Sequence, residues 1–100
     1  MIKQLLKVEP ESGELQYFLG EAYRRRNAKG DIDSATASYQ AAIAKGSPPS
    51  AVYRGLGLIA LKRGQKEVAR EAFEKYLLLV PEAGDRAIVQ YYLTTMRGTP

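Results

Sequence analysis

The sequence contains no cysteine and no histidine. Without cysteine there can be no disulfide framework and no thiolate nucleophile. Without histidine the most common general base is missing, and so are the imidazole ligands that zinc, copper and iron sites favour. These two absences predict a protein that is not an enzyme and that needs no metal or other cofactor. Carboxylates, lysine and tyrosine remain as formal acid–base groups.

Long hydrophobic runs are also missing. The longest apolar stretches, such as residues 58–61 and 76–80, are far shorter than the roughly 20 residues that a membrane-spanning helix needs. The first seven residues include two lysines where a signal peptide has an unbroken apolar region. We therefore expect no membrane insertion, and no targeting signal in the sequence assigns the chain to a compartment.

A strong excess of charge of one sign is absent as well. Fifteen Lys and Arg stand against eleven Asp and Glu, and the resulting net charge of +4 is spread along all 100 residues. Nucleic-acid-binding proteins concentrate their basic residues on one face, so the dispersed charge argues against a nucleic-acid partner. The length and an apolar fraction of 45% are typical of one small globular domain.

The apolar residues recur with the periodicity of an α-helix. Prolines and glycines divide the chain into segments of about a dozen residues, in which apolar side chains recur at three- and four-residue steps. No segment alternates with a period of two, so the predicted fold class is all-α. Asp31, after Gly30, is expected to cap one helix, and Gly46 to end it in the left-handed conformation. The predicted helices lie near residues 2–8, 13–27, 31–45, 49–63, 66–79 and 85–97.

The helical segments also repeat. Leu19-Gly20-x-x-Tyr23 returns 37 residues later as Leu56-Gly57-x-x-Ala60, and Ala35 and Tyr39 are followed by Ala69 and Phe73 at equivalent places. This pattern resembles the tetratricopeptide repeat, which has an L-G-x₂-Y helix, then A-x₃-F and then proline, in about 34 residues. The resemblance covers nearly the whole chain. It implies a right-handed stack of antiparallel helical hairpins, an α-solenoid of about six helices.

The repeat pattern also predicts how the single domain is organised. Residues 1–12 resemble the end of a preceding repeat, because the apolar run before Pro10 matches the run before Pro81. Residues 13–49 form a repeat with a three-residue insertion, residues 50–83 a second repeat, and residues 84–100 a capping helix and tail. The sequence of residues 19–24 and 53–57 is similar to that of the C-terminal tetratricopeptide tails of some bacterial envelope zinc metallopeptidases. In those enzymes the zinc motif lies in another domain.

The resemblance implies a protein-interaction module that binds a peptide in a concave groove lined by the first helix of each hairpin. Leu15, Phe18, Leu19, Ala22 and Tyr23 are expected to form the packing face of the helix at 13–27. Other positions of the two first helices are then expected to be exposed in the groove, with packing against the next helix as the alternative for Leu58. The candidate peptide-binding residues are Tyr17, Glu21, Arg24, Arg54, Leu58 and Lys62.

A second candidate surface is basic. In a stack the ends of the two first helices lie side by side, which predicts a basic edge able to attract an acidic partner or an anionic membrane surface. The alternative is that these cations only offset the dipoles of the helices that they end. The residues of this basic edge, besides Arg24 and Lys62, are Arg25, Arg26, Lys29 and Arg63.

The partner, a protein or a peptide, is not identified by the sequence. A second function is compatible with the same repeats. Because a helical hairpin cannot bury its apolar face alone, the chain could be a structural module that self-associates by stacking its open repeat ends.

Overall fold

The computed structural model describes residues 13–46 and 48–97, which form five helices and no strand. The predicted all-α class is therefore confirmed, and the five helices begin and end within a few residues of their predicted limits. The sixth predicted helix, near residues 2–8, lies outside the described residues. The helices are α1 (Gly13–Arg26), α2 (Asp31–Ala44), α3 (Ala51–Lys62), α4 (Lys66–Leu79) and α5 (Arg86–Arg97).

The helices form a stack of two hairpins and a last single helix. Contacts are most extensive between α1 and α2 and between α3 and α4, the two pairs that short turns connect. The hairpins meet where α2 contacts α3 and where α1 contacts α3, and α5 packs on α4. This arrangement places α1 beside α3, the first helices of the two hairpins, and α5 lines a depression together with them.

Glycines set the turns of the hairpins. Gly30 and Gly64 have φ angles of 83° and 75°, and Gly46, which follows α2, has a φ angle of 103° as expected. Glycine reaches this left-handed region without a steric penalty. The prediction that Asp31 caps α2 is wrong, because Gly30 occupies the cap position and Asp31 is the first residue of the helix. Its carboxylate instead accepts a hydrogen bond from the backbone N–H of Ala28 at 2.9 Å.

The core consists of two clusters, each of which joins a hairpin to the next element. No hairpin described here has a closed core of its own, as expected of stacked repeats. The first cluster contains Ala35, Tyr39, Ala42, Val52 and Ile59. The second contains Ala60, Ala69, Phe73, Tyr76, Leu77, Val89 and Leu93.

The predicted packing face of α1 is only partly correct. Tyr23 packs on the first cluster, but so does Tyr17, which was expected in the groove. Phe18 and Leu19, which were expected to be buried, are 56% and 40% exposed. The reason is that α2 covers the side of α1 that carries Tyr17 and Gly20, whereas Phe18 lies on another side that no described helix covers.

Candidate functional site

The first helices of the stack enclose a groove. One depression of about 240 Å³ is lined by residues of α1, α3 and α5, together with Asp85 just before α5. A second depression of about 310 Å³ shares Arg24, Arg25 and Leu58 with the first and extends to Lys62. Together the two depressions form what we call the groove, whose residues include Arg24, Arg25, Arg54, Leu58, Lys62, Asp85, Ile88 and Tyr92.

Glu21, a predicted groove residue, is instead buried at 6% exposure. The hydroxyl of Tyr39 donates a hydrogen bond to Glu21 Oε2 at 2.7 Å. Arg24 Nη2 and Arg25 Nε donate to Glu21 Oε1 at 2.9 and 3.3 Å, and Arg24 Nε donates to the Tyr39 hydroxyl at 3.1 Å. The exposure expected for Glu21 is therefore wrong, because its carboxylate faces the hydroxyl of a buried tyrosine on α2.

The network explains the ionisation of its members. Burial alone would raise the pKa of Glu21, but the hydrogen bonds from Tyr39, Arg24 and Arg25 outweigh it and hold this pKa below its usual value. Burial and the hydrogen bond to Glu21 raise the pKa of the Tyr39 hydroxyl far above its usual value. Glu21 is therefore an ionised carboxylate that already has its partners, and it links α1 to α2.

Arg54 lies in the groove wall with partners of its own. Its Nη1 donates to Asp85 Oδ2 at 3.0 Å, and its guanidinium lies 6.0 Å from the centroid of the Tyr76 ring. The Tyr76 hydroxyl donates to Asp85 Oδ1 at 2.7 Å. Burial pushes the pKa of Asp85 up, yet the hydrogen bonds from Tyr76 and Arg54 leave it lowered. This trio joins α3, α4 and the start of α5.

The basic edge is partly neutralised by carboxylates of α2. Arg26 donates through Nε and Nη2 to Asp31 at 2.7 and 2.8 Å, and Arg63 is ion-paired with Asp33. The hydrogen bonds from Arg26 and from the backbone of Ala28 lower the pKa of Asp31 to about 2. Lys29 is exposed. The predicted basic edge did not take these two carboxylates into account, although both lie in the first turn of the helix that follows three arginines.

The groove itself keeps a positive excess. Arg24 and Arg25 share the single carboxylate of Glu21, and Arg54 is balanced by Asp85. Lys62 forms no ion pair within the part of the chain that the structure describes. Beside these cations lies an apolar strip formed by Leu58, Ile88 and Tyr92, of which Ile88 is 57% exposed.

Sequence reasoning missed the contribution of α5. Ile88 and Tyr92 follow Arg54 and Leu58 by 34 residues each, which is one repeat length. They therefore occupy on α5 the positions that Arg54 and Leu58 occupy on α3. Extending the register to the capping helix would have found them. The same register places Tyr17 and Glu21 at equivalent positions of α1, but Tyr17 packs on the first cluster and Glu21 accepts a hydrogen bond from the Tyr39 hydroxyl.

A larger depression lies elsewhere. About 350 Å³ in volume, it is bounded by α2, α3 and α4 and lined by residues that include Tyr53, Val68 and Lys75. We call it the outer depression. Its charged residues are of both signs, and Lys75 lies over the Tyr53 ring at 5.4 Å. Because Asp33 pairs with Arg63 and Glu71 balances Lys75, it has no positive excess, and its exposed aliphatic residue is Val68. Substitutions in the outer depression therefore serve as controls for the groove.

Two kinds of feature are absent from the described residues. No three acidic side chains lie close enough together there to hold a metal ion. None of the described helices combines the length and the apolar content that crossing a bilayer requires.

A family model described as Tetratricopeptide repeat matches residues 26–88, from the end of α1 through α2, α3 and α4 into α5. No curated protein and no solved structure matches the chain.

Proposed function

This chain belongs to the tetratricopeptide repeat family, and on that premise we propose that its groove binds a peptide or an extended segment of another protein. Family membership makes the chain a protein-interaction or scaffold module in general terms, and repeats of this family are typically not catalytic. The observation that carries the proposal is the groove, in which cations of α1 and α3 border an exposed apolar strip of α3 and α5.

The chemistry of the groove selects the kind of segment. Interfaces draw most of their affinity from a few apolar or aromatic anchors, and complementary charges mainly add specificity and speed of association. Ile88, Leu58 and Tyr92 provide the apolar contact, and Lys62 and Arg25 provide positive charge next to it. The segment that fits carries Asp or Glu close to an aliphatic or aromatic side chain.

The cations of the groove differ in their availability. Lys62 has no carboxylate partner among the described residues, and Arg25 is well exposed while it shares Glu21 with Arg24. Arg54 is held by Asp85. We therefore assign ligand attraction to Lys62 and Arg25, and assign to Arg54 the role of holding the groove wall in place.

Selection from a random phage-displayed peptide library tests the proposal without knowledge of the partner. The selected peptides should be enriched in Asp or Glu near an apolar residue. Ile88→Asp should weaken binding of a selected peptide by about tenfold or more in fluorescence anisotropy, as expected when an apolar anchor is lost. The matched control is Val68→Asp, since Val68 lies in the outer depression and is 52% exposed.

The control should leave the dissociation constant within about twofold of that of the unsubstituted chain, a change of about 0.4 kcal/mol. Circular dichroism spectra of both variants should retain the helical signal. If Val68→Asp abolishes binding while Ile88→Asp leaves it intact, the partner binds the outer depression and the groove assignment is wrong.

A further inference from the structure

The C-terminal ends of α1 and α3 both border the second depression of the groove. Arg25 lies in the last turn of α1 and Lys62 in the last turn of α3, and both line the depression. Asn27, the residue that follows α1, lines it as well. Three side chains that carry N–H donors therefore border one depression of about 310 Å³ from two different helices.

Most of these donors have no partner among the described residues. Lys62 forms no ion pair there. Arg25 donates only through Nε, to Glu21 at 3.3 Å, and its side chain is 73% exposed. The side-chain amide of Asn27 makes no hydrogen bond within the described part of the chain either. A ligand with several acceptor oxygens could therefore be bound without breaking an existing contact.

The backbone explains why α1 is followed by Asn27, but it does not explain the amide. The φ angle of Asn27 is 54°, and its backbone N–H donates to the carbonyl of Tyr23 at 2.9 Å. Asparagine adopts this left-handed conformation more readily than most residues do. Glycine adopts it more readily still, as at Gly30 and Gly64. The choice of asparagine therefore adds two neutral N–H donors that the turn itself does not need.

The two carboxylates of the first turn of α2 are already paired with arginines that do not line this depression. Asp31 accepts two hydrogen bonds from Arg26, and Asp33 is ion-paired with Arg63. Neither carboxylate is ion-paired with Lys62. The pairing on α2 thus leaves the positive charge of the depression in place.

The remaining charge matches a phosphate better than a carboxylate. Glu21 ion-pairs with both Arg24 and Arg25. Together with Lys62 this makes three cations and one carboxylate at the depression, a net of two positive charges. A phosphorylated side chain carries about −1.5 to −2 charges at pH 7 and has three strong acceptor oxygens. A carboxylate carries one negative charge and would leave about half of the excess unmatched.

The other residues that line the depression are aliphatic, namely Ile32, Leu58 and Ile59. Interactions between charges are stronger beside such apolar surroundings than in bulk water. Leu58 also belongs to the apolar strip of the groove. An anion in the depression would therefore lie next to the surface that holds the apolar anchor of a bound segment.

We propose that this depression binds the phosphoryl group of a phosphorylated side chain in the partner segment. Arg25 and Lys62 pair with the phosphate oxygens, and the side-chain amide of Asn27 donates to one of them. This inference rests on the proposed function and deepens it, because it names the acidic group that accompanies the apolar anchor.

An anionic membrane matches the same cations less well. Basic segments that bind anionic lipids have clusters of about four to eight Lys and Arg. Here Arg26 and Arg63 are engaged by carboxylates. The cations that remain lie in a depression beside an apolar strip, an arrangement that suits a side chain of an extended segment.

A peptide selected on this chain supplies the test. Phosphoserine, Glu and Gln are placed in turn at each acidic position of the peptide. At one position the phosphoserine peptide should bind about tenfold or more tightly than the Glu peptide in fluorescence anisotropy, because it adds charge-assisted hydrogen bonds. Lys62→Gln should remove most of this advantage. Lys75→Gln, which removes the same charge from the outer depression, is the control and should retain it.

Asn27→Gly tests the amide separately. Glycine keeps the left-handed backbone and removes only the side chain. The variant should therefore lower the preference for phosphoserine and leave the melting temperature nearly unchanged.

The dependence of binding on pH identifies the phosphate itself. The second pKa of a phosphorylated side chain is about 6, so lowering the pH from about 7.5 to about 5.5 removes much of its second charge. The chain has no histidine, and Asp, Glu, Lys and Arg side chains ordinarily keep their charge over this range. Affinity for the phosphoserine peptide should fall by about threefold or more at the lower pH, while that for the Glu peptide stays nearly constant.

Three results would overturn the proposal. The first is equal affinity for the phosphoserine and Glu peptides at every position, and if Ile88→Asp still weakened both, the proposed function would stand. The second is an advantage of phosphoserine that Lys75→Gln removes as fully as Lys62→Gln does. The third is binding to vesicles that contain a phosphoinositide, dependent on Lys62, when phosphoserine gives no advantage, because the ligand would then be a lipid headgroup.

Inorganic phosphate gives a measurement that needs no peptide. In nuclear magnetic resonance spectra, phosphate should shift the side-chain amide signals of Asn27 and the backbone amide signal of Lys62 in a saturable way. Sodium chloride at the same ionic strength should not, and Lys62→Gln should weaken the response to phosphate. Equal shifts with phosphate and with chloride would overturn the proposal even if no peptide were selected, an outcome that would count separately against the proposed function.

Discussion

The ring of Tyr39 lies directly on Gly20. A Cβ atom on Gly20 would be only 2.6 Å from the Tyr39 ring carbons Cδ1 and Cε1. Phe73 lies on Gly57 in the same way, with its Cε1 atom 2.5 Å from the place of a Cβ. Because 37 residues separate the two glycines and 34 separate the two rings, one contact recurs in both hairpins. It sets how closely the two helices of each hairpin approach.

Replacing either glycine should overpack its hairpin. Gly20→Ala and Gly57→Ala should each lower the free energy of unfolding by about 1–3 kcal/mol, because the facing rings are fully buried and have little room to move. Gly84→Ala is the control, since nothing lies within 4 Å of the place where its Cβ would be. Urea denaturation checks all three, and a loss of stability no larger for Gly20→Ala than for Gly84→Ala would contradict the close contact.

The Tyr39 hydroxyl should matter separately from its ring. Tyr39→Phe keeps the contact with Gly20 but removes one donor to the Glu21 carboxylate. A hydrogen bond to a charged group contributes about 1.5–3 kcal/mol, so a loss of stability of that order is expected. Tyr91→Phe, at an exposed position, is the matched control and should change stability by less than about 0.5 kcal/mol. Equal melting temperatures for the two variants would mean that Glu21 finds another donor.

Acid should weaken the junction between α1 and α2. Asp31 has its pKa lowered to about 2 in the folded chain, through Arg26 and the backbone of Ala28, and about 3.9 is usual when unfolded. A lowered pKa stabilises the fold fully above the unfolded value, and the contribution is lost as pH falls toward 2. The melting temperature of Asp31→Asn should therefore be below that of the unsubstituted chain at pH 7, with a smaller difference near pH 2. A difference independent of pH would contradict the role of the ionised carboxylate.

Much of the fold could be read from local signals. Gly30, Gly46 and Gly64 lie between or after helices because the backbone has a positive φ at those places, which a residue without a Cβ adopts readily. The recurrence of Gly20 as Gly57 marked the repeat, because a ring from the second helix needs the space. These signals lie within one hairpin or recur at a fixed interval, and for that reason a single sequence reveals them.

The contacts of the site could not be read in this way. Glu21 was expected in the groove because it lies off the predicted packing face of α1, and it is buried because a hydroxyl 18 residues away donates to it. Arg54 looked available for a ligand, and its partner Asp85 is 31 residues away. Both pairs join different helices, so the choice of partner depends on how the helices dock. The sequence pattern of a single helix does not determine how the helices dock.

Arg54 and Lys62 should therefore respond differently to truncation. Arg54→Ala removes a partner of Asp85 and the cation over the Tyr76 ring, and it should lower the free energy of unfolding by about 1 kcal/mol, a modest value because the ion pair is partly exposed. Lys62→Ala should change it by less than about 0.5 kcal/mol. Thermal and urea denaturation at neutral pH compare the two. An effect of Lys62→Ala as large as that of Arg54→Ala would contradict the division between a residue that holds the groove wall and a cation that has no ion-pair partner among the described residues.

The charge and the apolar strip of the groove should be separable in the kinetics of binding. A cation at the rim of an interface mainly accelerates association, and its effect falls as salt shortens the Debye length from about 30 Å at 0.01 M to about 10 Å at 0.1 M. For an acidic peptide selected on this chain, Lys62→Gln should slow association at low salt and leave dissociation nearly unchanged. Ile88→Asp should instead accelerate dissociation at both salt concentrations, because the apolar contact is lost.

Lys75→Gln, which removes the same charge beside Tyr53 in the outer depression, is the control and should alter neither rate by more than about twofold. Stopped-flow fluorescence at the two salt concentrations separates these outcomes. If Lys75→Gln slows association as much as Lys62→Gln does, the peptide responds to the net charge of the whole chain, and the groove has no special part in attracting it.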